Sequence, residues 1–331
     1  MILITCPFGL SSLLTSELKH LLNPENTFPT TYINHNELTT IYKINLRSRI
    51  ANKVFLQIGS EMVFSFDELF SMTQKLQRKS ILASNISISV QTKNSELQSN
   101  KAIQSICHKA ISQFSNSAIH EILVFIENNL CKIFVNTSGS SLHQRRRTQT
   151  GEAPLKENLA TGLILHSRKF QNPLWDPFCG SGTILIEALM IAKNIAPLYR
   201  NFFQDFVNFD QKLFLEIKED AQSKIFNKKY SLKTDINPEN ITIAKQNAKN
   251  LFESEIIFET ADFFQIEIPK ETTVITNPPY GKRLVTDQTT YDKLIQTFEK
   301  NFFMTSYPLK LKNRKSKDVN NNELCKIWKK I

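Results

Sequence analysis

Apolar residues recur at helical spacing in some stretches of the chain and alternate with period two in others, and the two halves combine these patterns differently. In the first half, "GLSSLLTSELKHLL" (9–22) and "KAIQSICHKAISQF" (101–114) have helical spacing, whereas "ISISVQT" (86–92) alternates as a strand does. "EILVFIENNLCKIFVN" (121–136) predicts a hairpin turning at Asn128 and Asn129. This half is expected to be α+β. Beyond about residue 150 strands and helices alternate. "NPLWD" (172–176) runs into "PFCGSG", and "TILIEALMIAKNIA" (183–196) is helical up to Pro197. "KYSLKTD" (229–235) precedes "INPENITIAKQNAKNLF", "SEIIFET" (254–260) precedes "ADFF", and "TTVIT" (272–276) precedes "NPPYGKRL" (277–284). Each predicted strand ends in a polar loop, the layout of an open α/β sheet whose ligands lie beyond the carboxyl ends of its strands.

Length and composition narrow the class. A chain of 331 residues can bury the cores of two domains. Five cysteines without a CxxC pair suggest neither a zinc ribbon nor a disulfide framework, and fit a reducing, cytoplasmic setting. His108, His120 and His143 are isolated and read as packing or surface residues, so no metal is expected. "MILITCPFGL" has no basic leader, and no apolar run is long enough to span a membrane. The net charge of +10 is uneven: residues 300–331 carry 9 basic and 2 acidic side chains, while 141–299 carry 20 of each. Such a surplus favours polyanions, and it also suits a solvated surface. Arg145, Arg146 and Arg147 lie in a polar stretch between the two halves, as a linker or a phosphate clamp.

The strand ends carry the candidate chemistry. In "DPFCGSGT" (176–183) Gly180 and Gly182 permit a tight turn and close approach of a ligand to the backbone, ahead of a helix N-terminus. The loop lacks the GK[ST] of a phosphate loop and the third glycine of the dinucleotide fingerprint. Asp235 ends the next strand, where a carboxylate can accept both hydroxyls of a ribose, and Asp262 follows the third, where it can accept from an adenine amino group. Singly, each reads as a loop cap. Together they favour a nucleoside.

"NPPY" offers acceptors almost exclusively. The Asn277 side-chain oxygen and the Pro278 carbonyl both accept, and neither Pro278 nor Pro279 has an N–H. A conjugated –NH₂ is a poor nucleophile; two acceptors holding its N–H bonds would orient it and stabilise the charge that develops during attack. Tyr280 can stack on the planar group. Alone, the stretch would read as a proline-rich turn.

"DPFCGSGT", "TDINP", "ADFF" and "NPPY" resemble the successive motifs of class I S-adenosylmethionine-dependent amino-methyltransferases. "CPFGLSSLLTSEL", "SFDELF" (65–70), "FVNTSGSSLH" and especially "GEAPLKENLA" (151–160) extend the resemblance to the bacterial THUMP-domain rRNA guanine-N2-methyltransferases. The resemblance implies a ferredoxin-like segment over 1–50, a THUMP RNA-binding domain over 51–142 and a methyltransferase domain over 143–331. That last domain would be Rossmann-like, with a mostly parallel seven-stranded sheet or one shortened at its C-terminal edge. It further implies S-adenosylmethionine held by Asp176, Pro177, Gly180, Gly182, Thr183, Asp235, Ile236, Asp262, Phe263 and Asn277. Asn277, Pro278, Pro279 and Tyr280 would hold the base, and Arg145, Arg146 and Arg147 the RNA.

The implied substrate is 23S rRNA or a pre-ribosomal particle, with no membrane partner. Two departures from the family stand out: "HQRRRTQT" precedes "GEAPLKENLA" where an Arg-Gly-Tyr-Arg-like stretch is usual, and a short lysine-rich connection joins "FFMTSY" (302–307) to "NELCKIW" (322–328), the candidate last strands. Other readings of the residues are a tRNA guanine-N2 enzyme, a DNA adenine or release-factor glutamine methyltransferase, and an RNA-binding assembly factor whose catalytic half has decayed. Cys179 reads as a small loop residue rather than a nucleophile.

Overall fold

The structure is a computed structural model. It describes residues 1–22, 32–33, 38–78, 85–111, 119–145, 155–167, 174–197, 210–224, 237–249, 256, 258–260, 262, 265, 272–278, 289, 292, 296, 301–305, 314–320 and 324–330.

The first half builds one six-stranded sheet. Its strands are β1 (Ile2–Thr5), β2 (Tyr32–Ile33), β3 (Lys53–Met62), β4 (Asn85–Lys93), β5 (Ile119–Glu127) and β6 (Leu130–Asn136), ordered β2-β1-β3-β6-β5-β4. The β5–β6 hairpin turns at Asn128 and Asn129, as the sequence predicts; both have positive φ (51° and 64°), which asparagine tolerates better than most residues. β4 lies parallel to β5. The helices are α1 (Ser11–Leu22), α2 (Leu38–Arg47), α3 (Phe66–Arg78) and α4 (Asn100–Ala110). Leu14 and Leu18, one turn apart, bury the inner face of α1, while Lys19 and His20 suit the negative end of its dipole. Ser99 caps α4, accepting from Ala102 N at 3.3 Å. Leu69, Met72 and Leu76 of α3 and Ile103 and Cys107 of α4 pack on Ile122, Val124 and Ile133 of the sheet.

The second half is an α/β layer. After α5 (Glu157–Ser167) come β7 (Leu174–Trp175), α6 (Thr183–Ala192), α7 (Gln211–Ser223), α8 (Pro238–Lys249), β8 (Thr273–Thr276), β9 (Asn301–Thr305), β10 (Arg314–Asn320) and β11 (Leu324–Lys330). The described strands run β10-β11-β9-β8-β7. β7, β8 and β9 are parallel, and β11 is antiparallel to both β9 and β10. The strand expected at 229–235 lies outside the described residues, as do three of the seven residues of that expected at 254–260. At the other edge, "FFMTSY" and "NELCKIW" supply β9 and β11, and the lysine-rich connection between them is itself the strand β10. Only one face of that strand has a core to meet: Val319 is buried while Ser316 and Asp318 are exposed. Lysine on an edge strand also discourages pairing with another chain.

The two halves share a core. Ile2, Ile4, Leu14 and Leu18 join Leu159, Leu163, Leu185 and Leu189 in one apolar cluster. Leu10 sits so close over Gly162 that a Cβ there would lie 2.8 Å from it. Among the described residues no helix is long and apolar enough to cross a membrane.

Candidate active site

β7 and β8 are parallel neighbours, paired at Leu174–Thr273 and Trp175–Val274, so the loops that follow them open side by side. Asp176 directly follows β7 and is buried. Its Oδ1 accepts from the backbone N–H of Phe178 at 3.1 Å, shaping the turn, and from Thr276 Oγ1 at 2.6 Å. The loop climbs through Gly180 and Gly182, with φ of +53° and +82°. Both lie in the left-handed region, where a side chain costs about 1 kcal/mol or more.

Gly182 is the N-cap of α6 and brings no side-chain cap. Its N–H donates to Cys179 O at 2.8 Å, and a Cβ on it would stand 3.1 Å from Ala244 Cβ and 3.2 Å from Phe258 Cζ. Gly180 is the opposite case, with no atom of the described residues within 4 Å of where its Cβ would be. One glycine lets α8 approach; the other leaves room for a ligand at the backbone. Asn247 of α8 braces the loop by donating from Nδ2 to Ser181 O at 3.1 Å, and Ser181 Oγ lies 3.4 Å from Thr183 Oγ1.

Beside this loop, β8 delivers Asn277 and Pro278. Asn277 is half-buried and Pro278 buried. The Asn277 Oδ1 is sealed from solvent and accepts no hydrogen bond among the described residues. A buried acceptor without a donor costs on the order of 1–3 kcal/mol, so it suits a site completed by a ligand. Asp262 is half-exposed; Gln265 Nε2 donates to its Oδ2 at 3.3 Å, and Gln265 N to its carbonyl at 3.0 Å. The Thr276–Asp176 bond therefore ties the root of the glycine loop, which carries Pro177, Gly180, Gly182 and Thr183, to the strand end that leads into Asn277 and Pro278. Asp235, Ile236, Phe263, Pro279 and Tyr280 lie outside the described residues. Among the described residues no group of His, Cys, Asp or Glu is placed to hold a metal ion.

Arg145 requires a correction. The arginine run suggests phosphate contacts, but the Arg145 and Glu187 side chains are each only 2% exposed and form a buried ion pair. Arg145 Nη2 also donates to Arg49 O, and its Nε to Leu142 O at 3.3 Å. Thr161 Oγ1 adds a bond to Glu187 Oε2 at 2.9 Å. A guanidinium so enclosed is structural. Arg146 and Arg147 lie outside the described residues.

Arg49 extends the network, donating from Nη2 to Met190 O at 3.1 Å and Ile195 O at 2.5 Å at the end of α6. Burial pulls its pKa down to about 10, opposed by nearby Glu187 and assisted by Arg145. Glu17 accepts from Ser48 Oγ and Arg49 N, both at 2.6 Å; burial pushes its pKa up and these bonds pull it back. The roles of Arg49, Glu187, Asn247 and Thr276 give no signal in the sequence, because each acts through a partner distant along the chain.

A parallel β7-β8-β9 run extended by antiparallel β11 and β10, with a glycine loop leading into α6 and an Asn-Pro at the end of β8, defines a class I methyltransferase fold. Residues 144–307 match the RMKL-like methyltransferase domain. The chain is 31% identical over 316 residues to the Bacillus subtilis (strain 168) protein named "Putative RNA methyltransferase YpsC", covering 86% of this chain and 80% of that one. It belongs to the RMKL-like methyltransferase family.

It is also 32% identical over 312 residues to the Pseudoalteromonas atlantica "Ribosomal RNA large subunit methyltransferase K/L", covering 85% of this chain and 44% of that protein. The chain thus spans less than half the length of the K/L relatives it matches. The crystal structure of a possible methylase from Clostridium difficile 630 superimposes with a TM-score of 0.85 at 29% identity, covering 99% of this chain and 97% of that one.

Proposed function

We propose that this protein is an S-adenosylmethionine-dependent RNA methyltransferase that methylates the exocyclic N2 of a guanine, in 23S rRNA or a pre-ribosomal particle. The observation that carries the reading is the buried Asn277 Oδ1, which accepts no hydrogen bond among the described residues, together with a glycine loop whose Gly180 is left open by them. The cofactor fits this arrangement: Gly180, Gly182 and the start of α6 would hold it, together with Asp235 and Asp262, and it would supply an electrophilic methyl group. Asn277 Oδ1 and the Pro278 carbonyl would each accept one N–H of the guanine amine, aiming its lone pair along the line of attack. When bound, the cofactor would give up its methyl carbon to that nitrogen, its sulfur keeping the electron pair of the C–S bond, and the amine proton would pass to solvent. No general base is needed.

Within this reading, residues 1–50 are the ferredoxin-like segment, 51–142 the THUMP RNA-binding module and 143–331 the catalytic domain. Arg146 and Arg147 remain candidates for phosphate contacts. The choice of ribosomal RNA is supported by the names of the K/L relatives. The test is mass spectrometry of nucleosides from separated rRNA and tRNA of cells with and without the gene. Loss of N2-methylguanosine from 23S rRNA alone is expected; loss from tRNA would move the substrate, and unchanged nucleosides would overturn the activity.

A further inference from the structure

The bond between Thr276 and Asp176 joins the two loops of the site at their roots. The backbone ladder of β7 and β8 pairs Leu174 with Thr273 and Trp175 with Val274. Beyond the last of these pairs a side-chain bond links the two strand ends: Thr276 Oγ1 donates to Asp176 Oδ1 at 2.6 Å, with Thr276 fully buried and Asp176 1% exposed. The same Oδ1 accepts from Phe178 N, so one carboxylate oxygen holds both the glycine-loop turn and the end of β8. The residue after Thr276 is Asn277, whose buried Oδ1 accepts no hydrogen bond among the described residues. Valine would fill this buried strand position equally well, and only the hydroxyl can reach across to the carboxylate.

We infer that Thr276 is a positioning residue, whose hydroxyl sets the separation between the cofactor loop and the amine-holding Asn277; this rests on the function proposed above. In-line transfer requires the nitrogen and the methyl carbon at near-contact distance, and a displacement of about 1 Å can cost on the order of 100-fold in rate. The cofactor is gripped mainly by the loop itself. Loosening the strut therefore lowers turnover and leaves cofactor binding nearly intact.

The experiment uses total RNA from cells lacking the gene as acceptor, labelled S-adenosylmethionine as donor, and calorimetry for cofactor affinity. T276V should lower kcat on the order of 10 to 100-fold, while the cofactor Kd and the KM for RNA shift by less than about 3-fold. T276S, which restores the hydroxyl, should stay within about 3-fold of the wild-type kcat. Should T276V fail to fold, T276A carries the same comparison. Wild-type turnover by T276V, a loss of cofactor affinity as large as the loss in kcat, or no recovery in T276S would each overturn the inference. A wild-type protein that methylates no RNA would instead overturn the proposed function, a result distinct from all three.

Discussion

Asn277 is one residue from a fully buried strand, and its position makes a sharp demand on chemistry. If Oδ1 holds the amine as charge develops, its loss acts mainly on the transition state. Asn277→Ala should lower single-turnover methyl transfer on the order of 100 to 1000-fold, by analogy with loss of one oxyanion-hole donor, with RNA affinity little changed. Near-normal turnover would return the residue to a structural turn. The cysteines allow a different residue-scale test. Burial pushes the Cys107 thiol up to about 11, with a hydrogen bond shared with Thr73 pulling it back, and pushes Cys131 up to about 12. At pH 8 the thiolate fraction of each is then on the order of 0.001 or less. An aromatic disulfide reagent should label half-buried Cys6 readily and these two only after denaturant is added. Because the folded thiol values lie above the unfolded ones, their contribution to stability is complete below the unfolded thiol pKa. It is lost as pH rises toward about 11 to 12. The urea midpoint should accordingly be lower at pH 10 than at pH 8.

Among the elements, α6 is the most legible in the sequence and β10 the least. "TILIEALMIAKNIA" announces a helix by apolar spacing, and α6 forms over Thr183–Ala192, ending short of the predicted Ala196. "RKSKDVN" conceals a strand, because an edge strand with one buried face needs little apolar alternation and here shows only Val319. The glycine loop and the Asn-Pro-Pro segment are readable because their chemistry is local in sequence. Arg145 misleads for the opposite reason: its partner Glu187 lies far along the chain on α6, and no nearby residue signals that an arginine run turns inward. At the start of α6, Gly182→Ala would combine a left-handed backbone with a tight fit against Ala244 and Phe258. It should destabilise by about 1–3 kcal/mol and weaken cofactor binding, whereas the same change at Gly180 meets backbone strain alone. Thermal unfolding and calorimetry on both variants test the contrast.

At the scale of the whole molecule, the network of Glu17, Arg49, Arg145 and Glu187 stitches the N-terminal helices to α5 and α6. Arg145→Met leaves the Glu187 carboxylate buried without its cation and should cost about 3–5 kcal/mol, read from denaturant unfolding; adding Glu187→Gln should recover part of it. The single substitution should leave the salt dependence of RNA binding unchanged. If instead Arg146 and Arg147 touch phosphates, replacing them should reduce that slope by about one unit for each phosphate no longer neutralised. Gly9 makes a further tie between the halves, with φ of +86° and a Cβ position only 1.9 Å from the carbonyl oxygen of Asp318 in β10. Seen as a process in time, that close approach delays the fold. A ribosome adding roughly 5–20 residues per second takes on the order of 15 to 60 s to travel from Gly9 to Asp318. Until β10 is made, the apolar face of α1 can meet only part of its final surroundings, and a chaperone on the nascent chain would have its longest task at the first helix.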